Sequence, residues 1–447
     1  MENKKNSILA AGLVLVLLIM GTLVLGRLTG MPWKKPDDGP VLIEKEDRTP
    51  GVCEVIFITD THILAESLRD DGTAFQEKMA LDDGKITQYM PEVLDALTEE
   101  VVSRMPDALV VSGDLTLNGE TASHQELAER LGRIRDQGVP VLVIPGNHDI
   151  NNYSAAAFLG DQVITTDPVT PDTFLSIYET LGYQQAMSRD TASLSYIYEV
   201  DKKTWLMMLD TSIYDPTNQV HGNVKEETCQ WMKQQLESAR SQGIQVIPVG
   251  HHNLLPESRL YTVSCTIDNR QQVTELFEEY ELPWYFSGHL HAARMRKNLS
   301  EPGMPEDQYA IHERVNSALS VPPCQYGIMT WPWGGDMAYE TRTVDVDGWA
   351  ARHGVTDENL LNFSQYSTEW YYGIISDQIK DRMRSSLDEE VIRQMAWTYA
   401  DLLYKYSAGY PIDKREVRRS EGYRLWERFC PDDECLEEME QILKDSM

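Results

Sequence analysis

Short apolar runs alternate with amphipathic segments over the first three quarters of the chain. The first runs are rich in β-branched residues, which is typical of strands covered on both faces of a sheet. They are Val55 to Thr59, Ala108 to Ser112 and Val139 to Pro145. Between the second and third runs, His124 to Gln137 carries apolar residues at helical spacing, and Gly138 supplies a stop. A strand-helix-strand order predicts a layered α/β core.

Later segments continue the alternation of strands and helices. The predicted elements are a strand pair at Ser193 to Val200 and Thr204 to Asp210, a helix at Glu226 to Ser241, a strand at Gln245 to Val249, a helix at Gln271 to Tyr280, a strand at Trp284 to Ser287, and further strands from Val315 to about Val346. This order favours an α/β (layered α+β) fold, with a two-sheet β-sandwich flanked by helices over residues 51–350.

After about Gly354 the pattern becomes purely helical. Three apolar faces recur at helical spacing. They are Trp370, Tyr371, Ile374, Ile375 and Ile379; then Val391, Met395, Tyr399 and Leu402; then Leu436, Met439, Ile442 and Leu443. Residues 355–447 are therefore predicted to form a small all-α C-terminal domain.

The amino terminus has the pattern of a membrane segment. Ile8 to Gly26 contains no charged residue over nineteen positions, about the length that crosses a bilayer. A cleaved signal peptide is the alternative, but the run is long and no clear small-residue cleavage site follows it. We predict an N-terminal signal anchor over residues 1–27 and a linker rich in Pro, Gly and charge over 28–50. The chain would then be a single-pass protein of the cell membrane, with residues 51–350 outside the cytoplasm and the lipid bilayer as a partner.

The amino-acid composition limits which other partners the protein can bind. The formal charge of −31, from 71 acidic and 40 basic residues, argues against nucleic acid, because phosphate backbones are bound by clustered cations. A small phosphorylated substrate is still compatible, since bound divalent cations would reverse the field in a cleft. Six cysteines in so long a chain are not a disulfide framework. Cys430 and Cys435 either close a small loop or are free thiols. Protein partners are left undefined.

Candidate metal ligands follow the predicted strands. The fragments are Asp60-Thr61-His62, Gly113-Asp114, Gly146-Asn147-His148-Asp149, Gly250-His251 and Gly288-His289-Leu290-His291. Each alone is weak evidence, because a Gly-Asp pair is a common turn and a buried histidine is usually a core residue. Together they place four of the ten histidines at strand ends, beside carboxylate and amide oxygens that suit Mn, Fe or Zn. The set predicts two divalent metal ions at one edge of a sheet.

This ordered set resembles the signature of the calcineurin-like metallophosphoesterase superfamily. Within it, the chain resembles membrane-anchored bacterial cyclic-nucleotide phosphodiesterase-like proteins with a helical C-terminal domain. The finer resemblance rests on Gly113-Asp114-Leu115-Thr116, Asn118-Gly119-Glu120, Leu209-Asp210-Thr211 and the helix around Trp231.

The resemblance implies a division of roles. Asp60, His62 and His291 would hold one metal; Asn147, His251 and His289 would hold the other, with Asp114 as the bridge. An activated water or hydroxide would attack phosphorus, His148 would protonate the leaving alkoxide, and Asp149 would orient the ring of His148. For Asp149 the alternative is a turn residue.

Some nearby residues have open roles. His252 is interpreted as either a substrate contact or a structural residue. Arg294, Arg296 and Lys297 either attract an anionic substrate or form a solvated basic turn. The aromatic and apolar residues of two intervening segments either stack on a base or close a core; they are Tyr153, Phe158, Tyr178, Leu255 and Tyr261. His124 and His221 are interpreted as solvated or capping groups.

The predicted function is hydrolysis of a phosphodiester, with a 3′,5′-cyclic nucleotide as a candidate substrate, by attack of a metal-activated hydroxide. A phosphomonoesterase or a nucleotide or lipid head-group hydrolase of the same superfamily is the runner-up. An alternative from another class is a cell-surface binding protein on a retired enzyme scaffold.

Overall fold

The computed structural model describes residues 52–256, 264–298, 310–332, 337–383 and 387–446. The predicted anchor (1–27) and linker (28–50) lie outside these residues and stay predictions, as do the domain boundaries. Among the described residues, no helix has both the length and the apolar character that a bilayer crossing requires.

The first sheet contains the first three predicted strands. Its strands are β1 (Val52–Ile58), β2 (Ala108–Ser112), β3 (Val141–Ile144), β13 (Gln325–Pro332) and β14 (Ala338–Thr343). Among the described residues their order is β14-β13-β1-β2-β3. β1, β2 and β3 run parallel, and β13 runs antiparallel to β1 and β14. β2 is buried at every position, as its unbroken apolar run predicts.

The second sheet, like the first, contains both parallel and antiparallel strand pairs. Its strands are β6 (Ser188–Arg189), β7 (Tyr196–Asp201), β8 (Thr204–Met208), β9 (Gln245–Val249), β10 (Trp284–Ser287), β11 (Arg294–Lys297) and β12 (His312–Val315). Their order in the described part of the chain is β11-β12-β10-β9-β8-β7-β6. β8, β9, β10 and β12 run parallel, and the outer pairs are antiparallel.

The two sheets pack through a shared apolar core. Phe57 of β1 stacks on Phe286 of β10 with ring centroids 4.5 Å apart, and both rings are almost fully buried. Side chains of β2, β3, β8 and β9 belong to the same buried cluster. The predicted two-sheet architecture is confirmed. Burial of each phenylalanine contributes about 1.5–3 kcal/mol.

Helices flank the sheets. They are α1 (Thr73–Ala80), α2 (Met90–Arg104), α3 (Thr121–Asp136), α4 (Pro171–Tyr178), α5 (Glu226–Gln242) and α6 (Arg270–Glu279). The sequence analysis assigned no element to α1 and α2, although α2 buries Val93, Leu97 and Val101 at helical spacing. Residues 151–190 contain α4 and the hairpin of β4 (Ala156–Leu159) and β5 (Gln162–Thr165).

The C-terminal part is helical, as predicted. Its helices are α7 (Val346–Arg352), α8 (Glu358–Leu361), α9 (Phe363–Arg382), α10 (Glu389–Ser407), α11 (Lys414–Arg419), α12 (Glu421–Phe429) and α13 (Glu434–Asp445). Trp426 is fully buried in their core, together with Met395 and Met439. Cys430 and Cys435 are free thiols, so the small disulfide loop is not formed.

The last helix is bound to the second sheet by a buried ion pair. Asp445 lies 2.6 Å from Arg294 Nη1 and 2.8 Å from Arg296 Nη2. Arg294 also donates to the hydroxyl of Tyr406. Arg294 and Arg296 lie in β11 and bind Asp445, so they do not form the solvated turn that was one interpretation, whereas Lys297 is exposed. Attraction of an anionic substrate by these residues stays a prediction.

Replacement of Asp445 should weaken this attachment. Asp445→Ala leaves the buried guanidinium of Arg294 and the partly exposed guanidinium of Arg296 without this carboxylate, which costs about 3 kcal/mol. We expect urea denaturation to show this loss. Asp432→Ala, at an exposed position just before α13, is the matched control. Equal stabilities of the two variants would contradict a stabilising role for the pair.

Candidate metal centre

The candidate ligands gather where parallel strands of both sheets end. Asp60 follows β1, Asp114 follows β2 and Asn147 follows β3; His251 follows β9 and His289 follows β10. Because the carboxyl ends of parallel strands meet at one edge, residues far apart in sequence become neighbours. The sequence placed these residues correctly at strand ends.

The backbone at this edge is unusual. Several candidate ligands have left-handed dihedrals, which cost of order 1–3 kcal/mol for a residue with a side chain. They are Asp60 (φ 54°), His62 (φ 41°), Asp114 (φ 48°), His289 (φ 68°) and His291 (φ 53°). Hydrogen bonds between the strand ends fix part of this geometry, since Asp60 N–H donates to the Gly113 carbonyl and His62 N–H to that of Asp114, both at 3.0 Å. Backbone strain at several neighbouring residues with polar side chains indicates a functional site.

Gly113 allows the two sheets to approach at the site. Its φ is +90°, and a Cβ there would lie 2.6 Å from Nδ1 of His251. Any larger residue would push His251 away from the end of β2.

A first group of ligands is compact. Asp60, His62, Asp114 and His291 each offer one ligand atom, and these atoms lie within 4.8 Å of one another. His291 Nε2 is 3.2 Å from Asp60 Oδ1 and 3.2 Å from His62 Nε2. His62 Nε2 is 3.8 Å from Asp114 Oδ2. The first three are almost completely buried, and the side chain of His291 is 17% exposed.

A second group shares Asp114. His251 Nε2 lies 3.1 Å from Asn147 Oδ1 and 3.3 Å from Asp114 Oδ2, and the ring of His289 is 5.1 Å from that of His251. Oδ2 of Asp114 therefore faces both groups, while its Oδ1 accepts a hydrogen bond from His148 N–H at 2.8 Å. One carboxylate oxygen is in place to bridge two cations.

The hydrogen bonds of the imidazoles show which nitrogen is available. A carbonyl or carboxylate oxygen can only accept, so the ring nitrogen beside it carries the proton and the other nitrogen has a lone pair. The bonds run from His251 Nδ1 to Ser112 O (2.9 Å), from His289 Nε2 to Ser264 O (3.0 Å), from His291 Nδ1 to Asp83 Oδ2 (2.8 Å) and from His148 Nδ1 to Leu117 O (2.7 Å). On this ground His289 Nδ1 has the lone pair. Nε2 of His251 and Nε2 of His291 lie 3.3 Å and 3.2 Å from carboxylate oxygens of Asp114 and Asp60, and each carries a proton that a cation would displace.

The electrostatics also favour bound cations. Burial lowers the pKa of His251 and of His291, but the Asp114 carboxylate beside His251 and the Asp83 and Asp60 carboxylates beside His291 outweigh it and raise the values to about 9 and about 10. Burial opposes charge on Asp114, yet the neighbouring imidazoles hold its pKa well below the usual value. Oδ1 of Asp60 is buried and accepts no hydrogen bond from the described residues. Divalent cations would replace the protons on the imidazoles and satisfy Asp60, so these residues fit them.

Comparison with known proteins identifies the fold and chemistry. The family profile described as calcineurin-like phosphoesterase matches residues 54–293, which is more than half of the chain. The chain belongs to the calcineurin-like phosphoesterase family. A second profile, the C-terminal domain of cyclic nucleotide phosphodiesterase, matches residues 345–447. The predicted resemblance to calcineurin-like phosphoesterases and to cyclic-nucleotide phosphodiesterase-like proteins with a helical C-terminal domain is confirmed, and the chain is a metal-dependent phosphoric ester hydrolase.

Individual relatives carry related names. A probable cyclic nucleotide phosphodiesterase of Psychrobacter arcticus is 26% identical over 250 residues, covering 55% of this chain and 76% of that protein. The glycerophosphodiester phosphodiesterase GpdQ of Enterobacter lignolyticus is 27% identical over 209 residues, covering 45% of this chain and 64% of that protein. A dimetal phosphatase from Danio rerio aligns with a TM-score of 0.48 and 13% identity, over 65% of this chain and 96% of that one.

Within this phosphoesterase, Asp149 does not orient the ring of His148, which corrects that prediction. The ring is held by Leu117 O, and the Asp149 carboxylate instead accepts the backbone N–H groups of Leu115, Thr116 and Gly146. Asp149 is thus the turn residue that the sequence analysis kept as its alternative. It joins the loops after β2 and β3 and so positions Asp114 and Asn147.

His252 is enclosed by the fold. Its Nε2 lies 3.0 Å from the Val220 carbonyl, and its Nδ1 lies 2.8 Å from Thr211 Oγ1. The side chain is fully buried. These contacts favour the structural role, and the substrate contact stays a prediction.

Most of the aromatic and apolar candidates for base stacking close the core. Phe158, Tyr178 and Leu255 are buried, whereas Tyr153 is 76% exposed. Tyr261 lies outside the described residues. Of the described set, only Tyr153 has an exposed ring.

The sequence analysis missed two residues that support the site. Asp83 binds His291 and gave no signal, because it precedes a helix and follows no apolar run. His124 was interpreted as solvated or capping, but it is fully buried, with Nε2 3.0 Å from the Asp149 carbonyl and Nδ1 2.9 Å from the Tyr178 hydroxyl. Its place within an amphipathic helix was the available signal of burial.

Neutral His124 should make stability depend on pH. Burial lowers its pKa to about 3, so between about pH 6.5 and 3 the unfolded chain takes up a proton that the folded chain refuses. The stability that neutral His124 contributes is complete above about pH 6.5 and is lost as the pH falls. We expect unfolding free energies, measured by denaturant titration from pH 7 to 4, to fall more steeply in the parent than in His124→Gln, by up to about 1.4 kcal/mol per pH unit. Parallel curves would contradict a neutral buried imidazole.

Proposed function

We propose that the chain hydrolyses a phosphodiester, with a 3′,5′-cyclic nucleotide as the first candidate substrate, by means of two divalent metal ions. Asp60, His62 and His291 would hold one ion and Asn147, His251 and His289 the other, with Asp114 between them. The observation that carries the proposal is the position of Asp114 Oδ2, which lies 3.3 Å from His251 Nε2 and 3.8 Å from His62 Nε2.

The chemistry divides between the ions and the chain. Two bound ions would activate a water molecule, orient it in line and neutralise charge on the phosphoryl oxygens. The chain supplies the donor set, fixes it by hydrogen bonds to the outer imidazole nitrogens, and limits solvent access by burial. These ligands accept Mn, Fe or Zn, and supply in the cell decides among them.

His148 would protonate the leaving group. Its Nδ1 is bound to the Leu117 carbonyl, its ring lies edge-on to His62 at 4.8 Å, and it is partly exposed beside buried ligands. Nε2 therefore faces away from the anchored side of the ring and can give a proton to an alkoxide. The Leu117 carbonyl keeps the ring in one orientation.

The choice of a diester over a monoester rests on relatives. The names of both curated relatives and the description of the C-terminal profile specify phosphodiesterases. A phosphomonoesterase or a nucleotide or lipid head-group hydrolase is the alternative with the same metal centre. Rates on bis-p-nitrophenyl phosphate, p-nitrophenyl phosphate and 3′,5′-cyclic nucleotides separate these candidates, because only a diesterase prefers the first and third.

Loss of His148 should separate catalysis from metal binding. We expect His148→Ala to retain two ions per chain by elemental analysis but to turn over the best substrate about 10²–10⁴-fold more slowly, since it removes the proton donor. Asn147→Ala should lose both metal and activity. If both variants hydrolysed the substrate as fast as the parent, or the parent bound no metal, the enzymatic proposal would fail in favour of a binding protein on this scaffold.

A further inference from the structure

We propose that the C-terminal helices form a positioning part of the metal centre by holding His291 from two sides. The inference rests on the proposed metal-binding role of His291. It assigns Asp83 and Gln378 as positioning residues for one of the two ions, and gives the helical domain a role in the chemistry of the neighbouring domain.

On one side, His291 is bound by Asp83, which lies in the short loop that follows α1. Asp83 Oδ2 accepts from His291 Nδ1 at 2.8 Å. The loop is closed by Lys85, whose Nζ lies 2.5 Å from Asp83 Oδ1 and 3.0 Å from Asp82 Oδ1. A carboxylate behind a ligating histidine fixes the ring and makes the ligand more basic.

Helix α9 holds this loop. The side-chain amide of Gln378 donates to the carbonyls of Ala80 (3.0 Å) and Asp82 (2.7 Å). The indole N–H of Trp370 donates to the carbonyl of Lys85 at 3.1 Å. Three carbonyls around Asp83 are thus bound by side chains of a single helix of the C-terminal domain.

Gly84 brings the loop and the helix into close contact. A Cβ at Gly84 would lie 2.5 Å from the ring of Tyr371, which is buried on α9. Beyond it, Ile86 N–H donates to the Ser320 carbonyl (2.8 Å), and the Ser320 hydroxyl donates to the Asp60 carbonyl (2.7 Å). The loop therefore spans the distance between α9 and the first ligand group.

On the other side, α10 holds the chain just after His291. Ala293 N–H donates to the carbonyl of Ser407, at the end of α10, at 2.8 Å. Ala292 is fully buried in the same apolar cluster as Ile379 and Met395. Both the peptide after His291 and the partner of its ring are thus fixed by the helical domain.

Among the described residues, the imidazole hydrogen bonds of the second ligand group do not reach the helical domain. His251 is bound to Ser112 and His289 to Ser264, both within the phosphoesterase part. A change in the helical contacts should therefore weaken the binding of one ion and leave the binding of the other unchanged.

The test compares metal affinity in loop and helix variants with matched controls. Asp83→Ala removes the carboxylate, Asp83→Asn keeps an acceptor oxygen, and Gln378→Met removes the amide that holds the loop. Asp161→Ala, in the exposed turn of the β4–β5 hairpin, and Gln365→Met, on the exposed face of α9, are the controls. Mn²⁺ affinities are measured by competition with a chromophoric chelator on the full chain, with melting temperatures alongside.

We expect one of the two Mn²⁺ ions to bind about 10–100-fold more weakly in Asp83→Ala and up to about tenfold more weakly in Gln378→Met. Asp83→Asn should lie between Asp83→Ala and the parent, and the controls should match the parent. Adding Asp83→Ala to His291→Ala should not weaken the binding of that ion any further, because Asp83 acts through His291.

Two results would overturn the inference. One is unchanged affinity for both ions in Asp83→Ala and Gln378→Met. The other is an equal loss of affinity for both ions together with a lower melting temperature, because a merely structural contact produces that result. A parent protein that binds fewer than two ions would instead refute the proposed function. The two failures are therefore distinguishable.

Discussion

The burial of two neighbouring carboxylates is the constraint on which the site depends. Asp60 and Asp114 lie at adjacent strand ends and are almost fully buried, and the loss of water around each opposes its charge. Nearby imidazoles offset this by holding protons, as the raised pKa values of His251 and His291 show. Cations at the same place would do so more effectively and release those histidines as ligands.

The rest of the architecture keeps these charges together. Parallel strands of both sheets end at one edge, and Gly113 lets His251 approach β2. Asp149 binds the loops after β2 and β3 through backbone amides, and neutral His124 binds the Asp149 carbonyl. The strained backbone of the ligands is retained because these surrounding contacts leave it no alternative.

Local pattern was sufficient for the sheets and for the metal-ligand candidates. Asp60, Asp114 and Asn147 each follow an apolar run, so their place at a strand end is fixed within a few residues of sequence. The helical C-terminal domain was equally visible from its spacing. The ligand roles follow from the resemblance and are proposals that the observed clustering supports.

Contacts between distant segments were not predictable in this way. Asp83 meets His291 across 208 positions, and Arg294 meets Asp445 across 151, and neither pairing leaves a periodic trace. Asp149 was misassigned for the same reason: its neighbour in sequence is His148, but its carboxylate turns to amides of another loop. Spacing identifies which residues reach an edge, while the fold decides which of them touch.

The most direct test is a crystal structure of the Mn²⁺-loaded protein with anomalous diffraction at the manganese edge. The account predicts two ions roughly 3.5–4 Å apart, the separation usual in two-metal sites, with Oδ2 of Asp114 bound to both. A single ion, or two ions that do not share Asp114, would contradict it.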